Sequence, residues 1–175
     1  MAFPETGLLD TFSDTEGPPM TGWSTPTGVA GLRSASGECL ANAANAFGVW
    51  DSIMVGADEE VFCTVTAATG SGSSIGLLAR AKEIGSAATI DGYLLYVTEG
   101  ATDTWYIQSL TNGLASTIGA SFTQEVSNGD SIGLRVIGST LTAWYKASGG
   151  SWTQLAERTD GTYTAAGYLA LSITD

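Results

Sequence analysis

Short apolar or alternating runs, separated by Gly, Ser, Asn and Asp, follow one another along nearly the whole chain. Alternation with a period of two fits β-strands, whose side chains point in turn to the two faces of a sheet. Turn signals such as Asn112-Gly113, Gly149-Gly150 and Asp160-Gly161 separate the runs, as tight hairpins require. Segment 41–46 is the best helical candidate and is very short. The pattern therefore predicts an all-β protein built from antiparallel hairpins.

About a dozen strands are expected. They are predicted at residues 7–12, 31–35, 39–43, 52–55, 60–67, 75–81, 92–98, 105–110, 116–119, 131–137, 140–147, 152–157 and 168–173. Many short strands without intervening helices indicate a two-sheet sandwich or a barrel rather than a βαβ fold. A chain of 175 residues is long enough to bury one core, so residues 1–175 are interpreted as one domain.

Composition excludes several classes of function. The chain has no histidine, which removes the commonest general base and the usual zinc ligand. Its net charge of −12 and six scattered cations argue against binding to nucleic acid. No apolar run approaches the ~20 residues that a membrane-spanning helix needs. The first residues lack the features of a secretory signal, so we expect a protein made and used without export.

Several segments in chain order resemble the concanavalin A-like lectin and glucanase jelly rolls, which include laminin G-type domains. The resemblance begins with Leu9-Asp-Thr-Phe-Ser-Asp-Thr-Glu-Gly17 and Gly22-Trp-Ser24, which are similar to a "D-x-F … G … W" opening. It continues through segments 75–80, 91–96, 105–107, 133–145 and 160–171. The fold that this resemblance implies is a two-sheet antiparallel jelly-roll sandwich.

The resemblance does not by itself imply an activity. Laminarinase-type enzymes of this fold carry an E-x-D-x-x-E strand, and no strand here has it. We therefore expect a non-catalytic protein; a hydrolase would need another carboxylate pair, such as Asp91 with Glu99. Calcium is the usual ion of the fold, and Asp10 and Asp175 fall on strands that are commonly neighbours in such proteins. A structural Ca²⁺ on these two residues is the cofactor considered.

Alternation also suggests a ligand-binding face rich in aromatic and polar side chains. Tyr and Trp rings pack on sugar C–H faces, while amides and cations bind the hydroxyls. The predicted glycan face consists of Arg80, Tyr96, Tyr106, Gln108, Arg135 and Trp144, together with Lys146. The alternative is that these aromatic residues pack in the core or at its edge. Cys39 and Cys63 lie in separate apolar segments and are either a cross-strand disulfide or, as we favour, two small buried thiols.

The sequence-based hypothesis for the function is a bacteriophage virion protein, most specifically a capsid decoration protein. This hypothesis rests on analogy with small, acidic, all-β phage proteins made in the host cytoplasm. Segment 1–6, with Phe3 and Pro4, is expected to be a docking arm or else a simple lead into the first strand. The expected partners are the major capsid protein or other virion proteins, in a symmetric arrangement. The alternative is a glycan-binding lectin or tail-associated adhesin that recognises host polysaccharide.

Overall fold

The protein consists of β-strands and loops. The computed structural model describes residues 2–67 and 72–174, and within these ranges the chain forms fourteen strands and no helix. The strands are β1 Trp23–Ser24, β2 Leu32–Ala35, β3 Glu38–Ala41, β4 Ala46–Val55, β5 Glu59–Thr64, β6 Ser74–Lys82, β7 Asp91–Thr98, β8 Thr104–Thr111, β9 Leu114–Thr117, β10 Phe122–Thr123, β11 Ser131–Ile137, β12 Thr140–Lys146, β13 Thr153–Thr159 and β14 Gly167–Thr174. The expected all-β class is confirmed.

The strands form two main sheets, and their strand pairs are antiparallel. The larger sheet has the order β1-β4-β14-β6-β7-β8-β10, with β9 also paired to β8. The smaller sheet has the order β13-β12-β11-β5, and β2 pairs only with β3 in a separate hairpin. Strand β14 lies between β4 and β6, so the last described strand joins two early parts of the chain.

The main core lies between the two sheets. Alternate residues of β6, β7 and β8 from the large sheet meet alternate residues of β11 and β12 from the small sheet. Trp105 is fully buried in this layer and donates its indole N–H to the carbonyl of Gln124 at 2.7 Å. Because inward positions are fixed by alternation, the residues between them on each strand point to the outer faces of the sandwich.

Three predicted segments depart clearly from the structure. Residues 7–12 form no strand, because the Asp10 carboxylate accepts the Phe12 N–H at 2.7 Å and Phe12 adopts a φ of 52°. Strand β4 begins at Ala46, well before the predicted start at residue 52. Segment 41–46 is not a helix: Ala41 ends β3, residues 42–45 form a bend, and Ala46 begins β4.

The described parts of the chain, 2–67 and 72–174, hold no helix with the length and apolar character needed to cross a membrane.

Candidate functional site

The outer surface of the large sheet carries a row of aromatic side chains, and we call this surface the large-sheet face. Its central row crosses the sheet through the paired positions Phe47, Ser172, Gly76, Tyr96 and Tyr106. Tyr96 and Tyr106 are direct cross-strand partners, so both side chains project from neighbouring strands on this face. All three rings of the row are half-buried, and therefore keep part of their surface accessible to solvent.

Small side chains occupy the middle of the row. Ser172 and Gly76, the two smallest residues of the row, lie between Phe47 and Tyr96. Three strand spacings, roughly 14 Å, separate the backbone positions of Phe47 and Tyr96. The aromatic rings therefore flank a strip of low side chains.

The two rows of paired residues beside this central row differ: one carries hydroxyl side chains and the other is mostly apolar. On one side lie the paired residues Ser74, Thr98 and Thr104; Ser74 is buried and its Oγ accepts the Tyr96 phenol O–H at 2.8 Å, while Thr98 and Thr104 are partly exposed. On the other side, the apolar residues Val49, Leu78, Leu94 and Ala170 form a tightly packed cluster. Gln108 follows Leu94 in that row, and its amide donates to Thr117 Oγ1 at 3.4 Å.

The structure brings only part of the predicted glycan face together. Tyr96, Tyr106 and Gln108 share the large-sheet face, as expected. Arg135, Trp144 and Lys146 lie on the outer surface of the small sheet, because Leu134, Ala143 and Tyr145 take the inward positions of β11 and β12. The prediction of one common face is wrong, since strands with the same alternation belong to different sheets.

Arg80 lies on neither face and is completely buried. It has a φ of 53° at a register shift in β6, which breaks the alternation and directs the side chain into the end of the sandwich. There its guanidinium donates to the carbonyls of Ala57 at 2.7 Å, Gly138 at 2.7 Å and Tyr163 at 2.5 Å. Arg80 thus connects three loops and is no part of an exposed binding surface.

The predicted docking arm is folded onto its own chain. Phe3 is buried at 6% exposure between aromatic residues of the small sheet, and Pro4 beside it is half-buried. Residues 2–6 are therefore neither a free arm nor a lead into a strand in this conformation.

The structure describes only one of the two residues predicted to bind calcium. The Asp10 carboxylate accepts the Trp23 indole N–H at 2.8 Å and the Phe12 backbone N–H at 2.7 Å. Asp175 lies outside the described residues. Among the residues described, no three His, Cys, Asp or Glu side chains cluster as a metal site. The Ca²⁺ site stays a prediction.

The two cysteines are free thiols on different sheets, Cys39 on β3 and Cys63 on β5. Burial raises the pKa of each thiol to about 12, and the neighbouring Cys63 adds to the effect on Cys39. Protonated thiols with these pKa values are poor nucleophiles and poor metal ligands. The absence of a disulfide agrees with the favoured interpretation of two small thiols, although both side chains are partly rather than fully buried.

The carboxylate pair considered for hydrolysis does not exist. Asp91 begins β7 and Glu99 follows its end, so the strand holds them roughly 26 Å apart. A glycosidase needs its two carboxyl groups within about 5–10 Å. The outward positions along the middle of β6, β7 and β8 hold no acid; they are Ser74, Gly76, Leu78, Leu94, Tyr96, Thr98, Thr104, Tyr106 and Gln108.

Comparison with solved structures identifies the fold. A legume lectin-like domain from Entamoeba histolytica matches with a TM-score of 0.53 at 9% identity, over 97% of this chain and 91% of that one. A non-specific endo-β-1,3(4)-glucanase of family GH16 matches with a TM-score of 0.54 at 13% identity, over 94% of this chain and 78% of the glucanase. The κ-carrageenase of Pseudoalteromonas carrageenovora, crystallised with a κ-carrageenan oligotetrasaccharide, gives 0.52 at 10% identity, over 94% and 78% of the two chains.

These matches show that the chain has the concanavalin A-like jelly-roll fold, which confirms the resemblance and the sandwich expected from the sequence. At such low identity they show the fold alone. No protein-family model matches the sequence, and no curated protein matches it.

Proposed function

We propose that the protein is a non-catalytic glycan-binding protein and that the large-sheet face is its binding surface. The observation that carries the proposal is the cross-strand pairing of the half-buried Tyr96 and Tyr106 beside the small residues Ser172 and Gly76. The two tyrosine rings offer apolar surface to the C–H faces of a sugar, and the partly exposed Thr98, Thr104 and Gln108 offer partners for sugar hydroxyls.

The fold neighbours support this proposal. They include a lectin-like domain and two proteins named for acting on polysaccharides, although each is similar in fold alone. The acid-free middle of the large-sheet face supports binding without hydrolysis, because both chemical steps of a glycosidase need a carboxyl group near the sugar.

The test is a glycan array, followed by calorimetry with the glycans that bind; β-1,3(4)-glucan and κ-carrageenan oligosaccharides are included as defined probes. We expect Tyr106→Ala to weaken binding about tenfold, which corresponds to the loss of one stacking ring of about 1.4 kcal/mol. Tyr106→Phe keeps the ring and is expected to keep most of the affinity.

The matched control is Lys146→Ala, which changes the small sheet and leaves the large-sheet face unchanged. It should bind as tightly as the wild type. Absence of binding to every glycan on the array, or equal losses in Tyr106→Ala and Lys146→Ala, would contradict the proposed surface. Release of reducing ends from a bound polysaccharide would contradict the non-catalytic part.

The finer hypothesis of a bacteriophage virion protein remains a proposal. A tail-associated adhesin would use the glycan-binding face directly, whereas a capsid decoration protein would be expected to dock on the major capsid protein after synthesis in the host cytoplasm. Imaging of particles that contain the protein decides between them: copies on capsid symmetry positions support decoration, and copies on the tail support the adhesin.

A further inference from the structure

A second aromatic cluster lies on the outer surface of the small sheet, and residues 2–6 cover it. We call residues 2–6 the strap. The Phe3 ring stacks on Trp144 at 4.9 Å with the planes 4° apart, and it meets Trp152 edge-on at 4.7 Å. Gly133 forms the base of this slot, since a Cβ atom at that position would lie 2.4 Å from the Phe3 ring. The slot therefore has the shape of one flat ring.

The slot also binds the backbone of the strap. Arg135 donates to the carbonyl of Ala2 and forms an ion pair with Glu60. The Glu60 carboxylate in turn accepts the backbone N–H groups of Glu5 at 2.8 Å and Thr6 at 3.2 Å. One cation for a carbonyl and one carboxylate for two successive N–H groups are features that recognise an extended peptide.

The strap is separable from the rest of the fold. Within the described residues, its hydrogen bonds to the body go to side chains, and no backbone pair joins it to a strand. Residues 7–9 connect it to Asp10, with Leu8 74% exposed. They cross an apolar cavity of about 450 Å³ lined in part by Ile53 and Met54, so the connection is loosely packed. These three residues can act as a hinge.

We propose that the slot is a peptide-binding site that the strap of the same chain fills in the isolated protein, and that the strap of a second copy fills when copies lie side by side. In the described part of the chain, the ring, the carbonyl and the N–H groups that occupy the slot belong to residues 2–6, so a second copy can supply the same groups. The short tether gives its own strap an effective concentration of the order of millimolar, which favours the intramolecular arrangement in dilute solution.

Two copies can exchange their straps only if they lie close together. Four Cα steps from residue 6 to residue 10 span at most about 15 Å, so the Asp10 of one copy must lie within that distance of the slot on its neighbour. The net charge of −12 repels a second copy, and this repulsion is screened at moderate salt. Copies held together in an assembly therefore satisfy the distance limit and overcome the charge repulsion more easily than free monomers do.

The test uses two full-length variants that complement each other. Phe3→Ala has an intact slot and a strap without its ring, while Trp144→Ala has an intact strap and a slot without its stacking surface. Isotope-labelled Phe3→Ala is titrated with unlabelled Trp144→Ala to about 1 mM in moderate salt, and the indole N–H signals of Trp144 and Trp152 are followed by NMR.

We expect both indole signals to shift toward their wild-type positions and the labelled chain to tumble more slowly. Titration with unlabelled Phe3→Ala itself should leave them unchanged. Unchanged signals with Trp144→Ala at the highest concentration would overturn the proposal, as would equal shifts with both titrants.

A peptide experiment keeps the proposal testable should Trp144→Ala fail to fold. A synthetic peptide of residues 1–8 is added to the Phe3→Ala chain, with the same peptide carrying Ala in place of Phe3 as the control. We expect only the Phe-containing peptide to shift the indole signals, and the wild-type chain to bind it at least tenfold more weakly because its own strap competes. Adding Gly133→Ala to the Phe3→Ala chain should abolish peptide binding, because the new Cβ would occupy the position of the Phe3 ring. Binding of both peptides alike, or of neither, overturns the proposal.

Discussion

The two outer faces of the sandwich carry similar side chains and differ in what covers them. On the large-sheet face, Tyr96 and Tyr106 are cross-strand partners and stay half-exposed. On the small-sheet face, the Trp144 ring lies directly under Phe3, which is itself buried. Alternation along a strand decides which rings point outward, but a segment more than a hundred residues away decides whether an outward ring is available to a ligand.

The largest expected effect concerns Arg80, which belongs to neither face. We predict that Arg80→Ala lowers the free energy of unfolding by about 3–5 kcal/mol, because three loop carbonyls and the buried Glu59 would lose their cationic neighbour. Urea denaturation measures the loss. Arg33→Ala, at a partly exposed position of β2, is the matched control and should change stability by under about 0.5 kcal/mol. Unchanged stability together with lost glycan binding would instead place Arg80 on the large-sheet face.

The next prediction separates two neighbouring carboxylates of β5. Glu59 points inward, and burial raises its pKa to about 7 despite the backbone N–H groups of Arg80 and Gly167 that bind it. Glu60 points to the small-sheet face. Its burial acts to raise its pKa too, but the N–H of Glu5, the Arg135 guanidinium and the N–H of Thr6 outweigh burial and lower it below 4.5.

These shifts give opposite pH dependences. The folded protein holds the Glu59 proton more tightly than the unfolded chain does, so this contribution is fully present below pH 4.5 and is lost as the pH rises through about 7. It amounts to a fall on the order of 3 kcal/mol. The Glu60 contribution is present above pH 4.5 and is lost as the pH falls through its lowered pKa.

Glu59→Gln should therefore flatten the fall in stability between pH 4.5 and 7, measured by urea denaturation at a series of pH values. The chain has no histidine, so no other side chain has its ordinary pKa in that interval. Glu60→Gln is the control and should leave the slope there unchanged. A slope that persists in Glu59→Gln would show that the carboxyl is not protonated in the folded state.

The sequence predicted much of the fold because alternation is a local signal. Strand β11 was predicted with its observed bounds, and β7, β8 and β14 to within a residue at each end. The first half of β4 was missed, since residues 46–51, Ala-Phe-Gly-Val-Trp-Asp, show no alternation of apolar and polar side chains. With it, Phe47 of the large-sheet face was missed as well.

The candidate site was predicted less well, for reasons that no local pattern reveals. Three of the six residues predicted for the glycan face, namely Tyr96, Tyr106 and Gln108, lie on the large-sheet face. Their arrangement follows from the register of β7 with β8. Arg80 was misplaced because a bulge interrupts the alternation of β6. The cover over Trp144 depends on contacts between residues 3 and 144, and no period in the sequence encodes such a contact.

A smaller loss of stability is expected when the Phe3 ring that covers the small-sheet face is removed. Phe3→Ala should lower the free energy of unfolding by about 2–3 kcal/mol, since a ring of 6% exposure leaves an empty slot between Trp144 and Trp152. Thermal and urea denaturation measure the change, and tryptophan fluorescence should report greater exposure to water. Leu8→Ala, at a position of 74% exposure, is the control and should cost under about 0.5 kcal/mol. Equal effects of the two variants would mean that the strap does not hold Phe3 in the slot.

The smallest expected effect on stability is the counterpart on the large-sheet face. Tyr106 is half-buried and its phenol is far from the main core, so Tyr106→Ala should lower the free energy of unfolding by under about 1 kcal/mol. The same variant is the one expected to lose glycan affinity, whereas Phe3→Ala should lose stability and keep that affinity. Measuring both properties in both variants therefore assigns each face its role: removal of a ring that packs within the fold lowers stability, and removal of a ring that binds a ligand lowers affinity. A Tyr106→Ala loss as large as that of Phe3→Ala would mean that the large-sheet face is also a packing surface, and the difference between the two faces would then be one of degree.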